Sequence, residues 1–220
     1  MGIKQVVKIG GSLFPDYAIR LAKMLENTDS VIILGGGEFA NLIRRYDDEM
    51  GFSDEANHWT AIDCMEIIAK LVNDKVDSAK LAYTIDEVHE ISDEGFTPIF
   101  AVSEFLKVED PFECSWDVTS DSIAAYVAHL LNANLLIVTD VNGIYTHEPK
   151  EPGSTFISKI DATTMLTFQE SSIDAMLPTL LIRYGTDCYV VNVKFPERVR
   201  SLIDDNINDY NFDYTQIIGE

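Results

Sequence analysis

Short runs of aliphatic and β-branched residues alternate along the chain with longer segments in which apolar residues recur every three or four positions. The runs predict buried strands and the longer segments predict amphipathic helices. Strands are predicted over 6–9, 31–34, 98–102, 135–139, 189–192 and 216–218. Helices are predicted over about 16–26, 38–46, from Ser53 or Asp54 through 68, from Thr119 or Ser120 to 131, over most of 165–184, and over 196–204.

The order of these elements indicates the fold class. Continuous apolar strands that alternate with helices predict an α/β protein, a three-layer α/β/α sandwich with a mostly parallel central sheet. No Pro/Ser-rich linker and no internal repeat divides the 220 residues, which favours one domain over 1–220. Ligands of such sheets bind beyond the carboxyl ends of the strands. We therefore expect the functional residues in the loops that follow the strands.

Two glycine-rich loops each follow a predicted strand and precede a predicted helix. The first comes just after Lys8 and comprises Gly10, Gly11 and Ser12. The second comprises Gly35, Gly36 and Gly37. A turn normally needs one residue of positive φ, so three successive glycines favour close approach of main-chain N–H groups to a phosphate at a helix start. For the first loop alone, a tight turn beside a surface lysine explains the pattern equally well.

An Asn-Gly pair follows the strand predicted over 135–139. Thr139 and Asp140 stand at the end of that strand, Asn142 and Gly143 come next, and Tyr145 lies in a short apolar run. Asn-Gly between apolar runs is a strong β-hairpin signal, and a hairpin alone would explain the segment. The alternative is a nucleotide site, in which Thr139 and Asp140 reach a ribose or phosphate and Tyr145 lines a base pocket.

Asp121 lies in the first turn of the helix predicted to begin at Thr119 or Ser120. An acid in this place is ordinarily a helix cap that also complements the helix dipole. Near two phosphate loops, the same carboxylate would instead orient a lysine or hold a metal-bound nucleotide. Both interpretations of Asp121 stay open at the level of the residues.

The charge balance excludes several classes of partner. Acidic residues outnumber basic residues 37 to 16, which gives a formal net charge of −21. DNA, RNA and anionic membranes repel such a surface unless a basic patch intervenes, and the densest basic spot is Arg44-Arg45. We therefore expect no nucleic-acid and no membrane partner. Main-chain N–H groups attract phosphate without adding net charge, so a small anionic ligand stays compatible with the acidity.

Cysteine usage and apolar runs bear on the compartment. Cys64, Cys114 and Cys188 are far apart and form no CxxC pair, which favours a reducing compartment over a disulfide scaffold or a zinc site. No apolar run approaches the ~20 residues of a membrane span, and the first residues lack the apolar core of a signal peptide. The expected location is the cytoplasm.

Five segments, in this order, resemble the amino acid kinase superfamily: VVKIGGSLF, VIILGGGEFA, DVTSDSIAAYVAHLL, LLIVTDVNGIYTHEP and CYVVNVKFPERV. The superfamily includes acetylglutamate, aspartate, uridylate and isopentenyl phosphate kinases, and the resemblance covers nearly the whole chain. It implies the amino acid kinase fold, ATP and Mg²⁺ as cofactors, and a homo-oligomer. It also implies phosphoryl transfer without a covalent intermediate, which depends on positioning and charge stabilisation.

The resemblance implies a role for each candidate residue. Lys8 would stabilise the charge of the transferred phosphoryl group, and Asp121 would hold Lys8 in place. The N-terminal part would bind the acceptor and the C-terminal part the nucleotide. Nucleotide and phosphate binding is implied for Gly10, Gly11, Ser12, Thr139, Asp140, Gly143 and Tyr145. Acceptor binding is implied for Gly35, Gly36, Gly37, Arg44 and His58.

One segment departs from the family pattern. Many members carry a second lysine in a GGMxxK-like stretch, where this chain has SSIDAMLP over 171–178. Lys159, Arg183 or additional magnesium would have to replace the missing charge. A non-catalytic nucleotide or oxyanion binder of the same fold is therefore the competing hypothesis.

Within the superfamily, the chain resembles the small archaeal kinases of methanofuran synthesis, on the segments GGGEFANLIRRYD, SDEANHWTAID and SSIDAMLPTLL. This resemblance implies conversion of [5-(aminomethyl)furan-3-yl]methyl phosphate to its diphosphate. Such an acceptor predicts glycine N–H groups and Arg44 near its phosphate. It also predicts a carboxylate near its ammonium group, from Asp54, Glu38 or Asp117. Isopentenyl phosphate and an amino-acid carboxylate are the alternative acceptors.

Two aromatic neighbours on the helix predicted to cover the acceptor have competing interpretations. His58 would bind the acceptor phosphate, or it is an ordinary histidine on the surface of an amphipathic helix. Trp59 is predicted to pack in the core or in a lid rather than to stack on a ligand.

Overall fold

The computed structural model describes residues 2–147, 149–168, 172–204 and 212–219. Ten strands occur in these ranges: β1 (Gln5–Ile9), β2 (Ser30–Leu34), β3 (Ala79–Ala82), β4 (Thr97–Phe100), β5 (Asn134–Thr139), β6 (Ile144–Tyr145), β7 (Phe156–Ile157), β8 (Lys159–Asp161), β9 (Cys188–Asn192) and β10 (Thr215–Ile218). Eight of them form one sheet in the order β3-β4-β2-β1-β5-β9-β10-β8, and β6 pairs with β7 separately.

Nine helices surround the sheet in the described ranges: α1 (Asp16–Met24), α2 (Gly37–Met50), α3 (Asp54–Asn73), α4 (Ile85–Asp93), α5 (Ser103–Glu109), α6 (Ser120–Leu131), α7 (Ala162–Met165), α8 (Leu177–Tyr184) and α9 (Pro196–Ile203). A single 3₁₀ turn, Gly11–Leu13, follows β1. Local signals explain several boundaries. The side chains of Ser53 and Thr84, for example, accept hydrogen bonds at the starts of α3 and α4.

The sheet is parallel from β3 through β9, whereas β10 runs antiparallel to β9 and β8 runs parallel to β10. Its central strands are apolar on both faces because each face carries a separate core. Ile33 and Ile123 belong to the core under α6, and Ile32 and Leu136 belong to the core that includes side chains of α1 and α9. The predicted fold class, a three-layer α/β/α sandwich, is confirmed.

Strand β1 lies between β2 and β5. The chain first adds β2 on one side of β1 and later adds β5 on the other side. A crevice at the carboxyl ends of the strands is expected where the strand order reverses in this way. The glycine loops after β1 and β2 and the Thr139-Asp140 pair after β5 all lie at this edge, since the three strands are parallel.

The helix predicted over most of 165–184 is wrong. Helix α7 ends at Met165 and α8 begins only at Leu177, and 166–168 and 172–176 are not helical. Gln169, Glu170 and Ser171 lie outside the described residues. Pro178 explains the late start of α8, because proline lacks the N–H of an interior helical residue and fits the first turn.

The hairpin across Asn142 and Gly143 is also wrong. Strand β5 pairs with β1 and β9, while β6 pairs with β7. Gly143 has a φ of +152°, and a Cβ there would lie 2.3 Å from Oγ1 of Thr215. The glycine therefore permits close packing against β10, and the chain does not turn back along β5.

The sequence analysis missed β3, α4 and α5, together with the short strands β6 to β8. Strand β3 has only four residues, AKLA, of which alanine and lysine have low strand preference. Helix α5 has only seven residues. Elements of this length carry too few apolar repeats for their period to be recognised.

Candidate active site

The two glycine loops pack directly against each other at the ends of β1 and β2. A Cβ on Gly11 would lie 2.1 Å from the main-chain N of Gly37, and a Cβ on Gly35 would lie 2.6 Å from the N of Gly11. No side chain fits at these distances. Part of the reason for the glycines is therefore loop-to-loop packing, which the sequence pattern alone does not reveal.

Only some main-chain N–H groups of the two loops are available to a ligand. Gly10 donates to the carbonyl of Val138 and Gly35 donates to that of Ile9, so both N–H groups extend the sheet. Among the described residues, no acceptor is recorded for the N–H groups of Gly11, Ser12, Gly36 and Gly37. These four N–H groups are the ones that the two loops leave available to a phosphate.

Lys8 and Asp121 form a buried ion pair beneath the loops. The Nζ of Lys8 lies 2.7 Å from Oδ1 of Asp121, and the two residues are only 8% and 4% exposed. A buried charge is costly unless it is paired. Lys8 is therefore not the surface lysine of the simpler interpretation, and Asp121 holds it as the family resemblance implies.

Asp174 continues this network from the segment that lacks the family's second lysine. Its main-chain N–H donates to Oδ2 of Asp121 at 3.1 Å. Its carboxylate accepts hydrogen bonds from the N–H groups of Thr119 and Ser122, from both of their hydroxyls, and from the N–H of Leu177. The side chain of Asp174 thus caps the N-termini of both α6 and α8, while its main-chain N–H holds Asp121.

Burial raises the pKa of Asp174, and the negative charge of Asp121 adds to the increase. The hydrogen bonds from Ser122 and Thr119 act in the opposite direction, because they stabilise the charged carboxylate. Sequence reasoning missed Asp174. No sequence signal indicated this role, because Asp174 lies inside the helix predicted over most of 165–184 and the start of α8 at Leu177 was not predicted.

A cavity of about 230 Å³ opens beside the glycine loops, between α2, α3 and the segment before α6. Gly11, Ser12, Gly36 and Gly37 form its polar end. Its apolar wall comprises Ile62, Met65, Val118 and Ile123. The cavity therefore offers N–H donors at one end and an apolar surface for the body of a small ligand.

Arg44 is the cationic side chain of the cavity among the described residues that line it. Its guanidinium carbon lies 4.5 Å from the ring centroid of Trp116, an attractive cation–π arrangement. The Trp116 Nε1 donates to Oδ2 of Asp47 at 3.0 Å, and this bond holds the pKa of Asp47 below its usual range. Arg44 itself is exposed, so it has room to turn toward a bound anion.

His58 also lines the cavity and is 4% exposed, so the interpretation as a surface histidine is wrong. Burial lowers the pKa of His58, and a hydrogen bond with the main chain of Ser115 opposes that change. Trp59 packs against the core and meets the His58 ring edge-on, with centroids 5.1 Å apart. Core packing of Trp59 is confirmed.

The carboxylates expected near an ammonium group are elsewhere. Asp54, Glu38 and Asp117 are all exposed, and none of them lines the cavity. The described residues that line the cavity include no carboxylate. An ammonium group bound there would have to meet a ring face or main-chain carbonyls.

The remaining candidates lie at the ends of β5 and β9. Asn192 donates to the carbonyl of Asp140 and to Oδ1 of Asn142, and its own Oδ1 accepts from the N–H of Lys194. Tyr145 meets Phe156 edge-on at 5.4 Å. The side chains of Thr139 and Asp140 thus stand beside an ordered loop at the same edge of the sheet as Lys8.

Neither residue proposed to replace the second lysine lies near Lys8. Arg183 is in the last turn of α8, about 9 Å along the helix from the end that Asp174 caps. Lys159 begins β8, four strands from β1 and so roughly 19 Å across the sheet. Lys194, which the sequence analysis missed, follows β9 only two strands from β1.

The donor set fits a magnesium-bound nucleotide better than a protein-held metal. Among the described residues, no three His, Cys, Asp or Glu side chains are grouped as metal ligands. Magnesium in kinases is commonly held by the substrate phosphates and one or two carboxylates. Asp140 is exposed at the end of β5 and would be such a carboxylate. Across the same ranges, no helix is long and apolar enough to cross a membrane.

Sequence comparison agrees with this geometry. The family model described as "Amino acid kinase family" matches residues 4–192. The [5-(aminomethyl)furan-3-yl]methyl phosphate kinase of Methanocaldococcus jannaschii is 36% identical over 221 aligned positions, which cover 97% of each chain.

Solved structures show the same fold. The uridylate kinase of Archaeoglobus fulgidus superposes with a TM-score of 0.73 at 19% identity, covering 97% of this chain and 99% of that one. The UMP kinase of Ureaplasma parvum gives a TM-score of 0.74 at 17% identity, covering 99% of each chain.

Proposed function

Because the chain belongs to the amino acid kinase family and is a phosphotransferase, we propose that it transfers the γ-phosphoryl group of ATP to a phosphomonoester. We further propose that the acceptor is [5-(aminomethyl)furan-3-yl]methyl phosphate and that the product is its diphosphate. The observation that carries the proposal is the buried Lys8–Asp121 pair, which lies where two glycine loops meet beside a cavity for a small anion.

Transfer in this site requires no nucleophilic side chain, because an oxygen of the acceptor phosphate would attack the γ-phosphorus directly while the bond from that phosphorus to the bridging oxygen breaks and ADP leaves. The four free N–H groups of the glycine loops would hold the acceptor phosphate and the transferred group. Lys8, fixed by Asp121, would stabilise the negative charge that develops between them. Magnesium, when bound with ATP, supplies further neutralisation of the phosphate charge.

The acceptor would lie in the 230 Å³ cavity with its phosphate toward the glycine loops. Arg44 would leave the Trp116 ring and bind a phosphate oxygen, since guanidinium groups bind such oxyanions strongly. A furan ring suits the apolar wall at Ile62 and Met65. The vacated face of Trp116 would then receive the ammonium group, because aromatic faces attract cations.

The nucleotide would lie at the ends of β5 and β9. Thr139 and Asp140 would contact the ribose or phosphates, and Tyr145 would line the base pocket. Lys194 would supply the positive charge that the second lysine provides in other members. This arrangement makes the N-terminal part acceptor-binding and the C-terminal part nucleotide-binding within one domain, acting in the cytoplasm.

The proposal is tested by measuring ADP formation from ATP and Mg²⁺ with single phosphomonoesters. We expect turnover with the aminomethylfuran phosphate, and a new diphosphate doublet in the ³¹P NMR spectrum. The analogue without the amine should react with a higher KM, and isopentenyl phosphate should react poorly. Equal kcat/KM for all three would contradict the acceptor assignment while leaving the kinase intact.

One observation favours a second candidate, a non-catalytic binder of nucleotide. The segment before α8, SSIDAMLP over 171–178, contains no lysine where many members of the family carry one, so this stretch supplies no second cation. A binder would bind ATP tightly and form no acceptor-dependent ADP with any phosphomonoester. That outcome would overturn the proposed kinase activity.

A further inference from the structure

The ring of Trp116 is held by two residues from one turn of α2. The guanidinium carbon of Arg44 lies 4.5 Å from the ring centroid, and Oδ2 of Asp47 accepts a hydrogen bond from Nε1 of the ring at 3.0 Å. Residues three positions apart on a helix lie on the same side of it. The same side of α2 therefore places a cation on the face of the ring and a carboxylate at its edge.

Asp47 is fixed at the end of α2 by bonds that do not involve Arg44. Its Oδ1 accepts a hydrogen bond from the N–H of Phe52 at 3.0 Å, and its main-chain carbonyl accepts one from the N–H of Gly51 at 2.8 Å. Gly51 ends the helix with a φ of +68°, a conformation that glycine adopts readily. The carboxylate thus ties the Trp116 ring to the turn that ends α2, and this tie is independent of the cation on the ring face.

The charge of Asp47 reaches the cavity only through the ring. Trp116 is half-buried and lines the cavity, whereas Asp47 is not among the described residues that line it. The hydrogen bond from Trp116 lowers the pKa of Asp47, so the carboxylate is ionised at neutral pH. An indole whose N–H donates to an anion is polarised toward a more negative ring face, which attracts a cation more strongly. A carboxylate that does not touch a ligand can therefore strengthen the binding of its ammonium group.

The role of this ring in acceptor binding rests on the proposed function, in which Arg44 leaves Trp116 and an ammonium group takes its place. One cation then lies over the ring before binding, and one lies over it afterwards. An acceptor without the amine would also remove Arg44 from the ring, but it would leave the ring face without a cation. Because the cation–π attraction is then lost on binding, such an acceptor binds less tightly.

We propose that Asp47 determines specificity for phosphomonoesters that carry an amine, by fixing and polarising the Trp116 ring on which the ammonium group of the acceptor binds. Asp47 is a positioning residue in this role, because it acts through Trp116 and does not contact the acceptor. Its effect is therefore confined to acceptors with an ammonium group. A residue that only stabilised the end of α2 would affect all acceptors equally.

The proposal is tested by isothermal titration of the full chain, without nucleotide, with the aminomethylfuran phosphate and with its analogue lacking the amine. We expect the wild type to bind the amine-bearing ligand about tenfold more tightly than the analogue. Asp47→Asn keeps an oxygen for the Trp116 N–H but loses the charge, so it should reduce this ratio severalfold and leave binding of the analogue unchanged. Asp48→Asn is the matched control, because it removes the same charge from the next, exposed position of α2 and should keep the wild-type ratio.

A second substitution shows whether Asp47 acts through the ring. Trp116→Phe keeps an aromatic face but has no N–H for Asp47 to bind, so adding Asp47→Asn to it should not change the ratio further. A further fall in that background, or an equal loss of both ligands in Asp47→Asn alone, would overturn the proposal. Equal binding of both ligands by the wild type would also overturn it, whereas acceptor-dependent ADP formation would still decide the kinase activity separately.

Discussion

The ion pair under the glycine loops and the acceptor cavity beside them are built in opposite ways. Lys8 and Asp121 are buried, and Asp174 joins them to the starts of two helices. Arg44 and Trp116 are instead held to each other by a ring contact at the protein surface. Stabilising a transition state requires groups that are already in place, whereas an acceptor site gains from groups that reorient on binding. With the roles proposed for these residues, chemistry and recognition lie in two differently built regions of the molecule.

Among the variants that test this difference between the two regions, Lys8→Met should have the largest effect on the reaction rate. Removing a fixed charge from the transition state should lower kcat about 10³-fold and leave the acceptor KM near the wild-type value. Steady-state kinetics with varied acceptor measures both values. Lys4→Met is the control, because Lys4 forms an exposed pair with Asp29 just before the same strand. A loss expressed only in KM would contradict the role of Lys8.

Asp174→Ala should have the second largest effect, which falls on the region around the buried Lys8–Asp121 pair. Several main-chain and hydroxyl donors would lose their acceptor together, so we expect the free energy of unfolding to fall by about 3 kcal/mol. Urea denaturation measures the change. The segment whose main-chain N–H binds Asp121 would also lose its side-chain anchor to α6 and α8. We therefore expect kcat to fall with little change in KM for ATP.

Asp161→Ala is the matched control for that variant. Asp161 caps α7 with two bonds to Thr164, but at an exposed site. It should lose less stability and keep the wild-type kcat. Equal losses in the two variants would mean that Asp174 is only an ordinary helix cap.

Gly11→Ala should destabilise the junction of the two loops by about 2 kcal/mol, since its Cβ would overlap the main chain of Gly37. Gly2→Ala is the control, because a Cβ there meets nothing within 4 Å. Thermal unfolding of both variants measures the difference. If Gly11→Ala were as stable as Gly2→Ala, the close packing of the loops would be refuted.

On the acceptor side, Arg44→Gln should raise the KM for the phosphomonoester about tenfold, which corresponds to about 1.4 kcal/mol of lost binding. The value of kcat should stay near that of the wild type, because Arg44 is proposed to contact the acceptor and not the transferred group. Arg20→Gln, on the exposed face of α1, is the control. A fall in kcat without a change in KM would place Arg44 in the chemistry.

The smallest effect expected is the pH dependence that comes from His58. Its pKa is lowered by burial, so protons bind the unfolded chain more readily than the folded one. Stability should therefore be complete above about pH 6.5 and decline as the pH falls below that value. In His58→Gln this part of the decline should be absent from unfolding curves between pH 7.5 and 5.5. An identical decline in both proteins would mean that His58 is not the group responsible.

The extent to which the sequence predicts the molecule differs between the two regions for a physical reason. The sheet was predictable because buried strands leave strong local patterns, whereas the pairing of Lys8 with Asp121 was expected only from the family resemblance. Asp174 was not, since its five hydrogen-bond donors come from residues up to 55 positions away. Likewise, the Arg44–Trp116 contact joins two segments that share no sequence pattern. The carboxylates expected beside an ammonium group lie outside the cavity, because the exposure of a side chain cannot be read from its residue type.

Isothermal titration of the aminomethylfuran phosphate into Lys8→Met and Arg44→Gln, without nucleotide, tests the separation of chemistry from recognition most directly. The account predicts that Lys8→Met binds the acceptor as the wild type does, whereas Arg44→Gln binds it about tenfold more weakly. Weakened binding by Lys8→Met together with wild-type binding by Arg44→Gln would contradict the account.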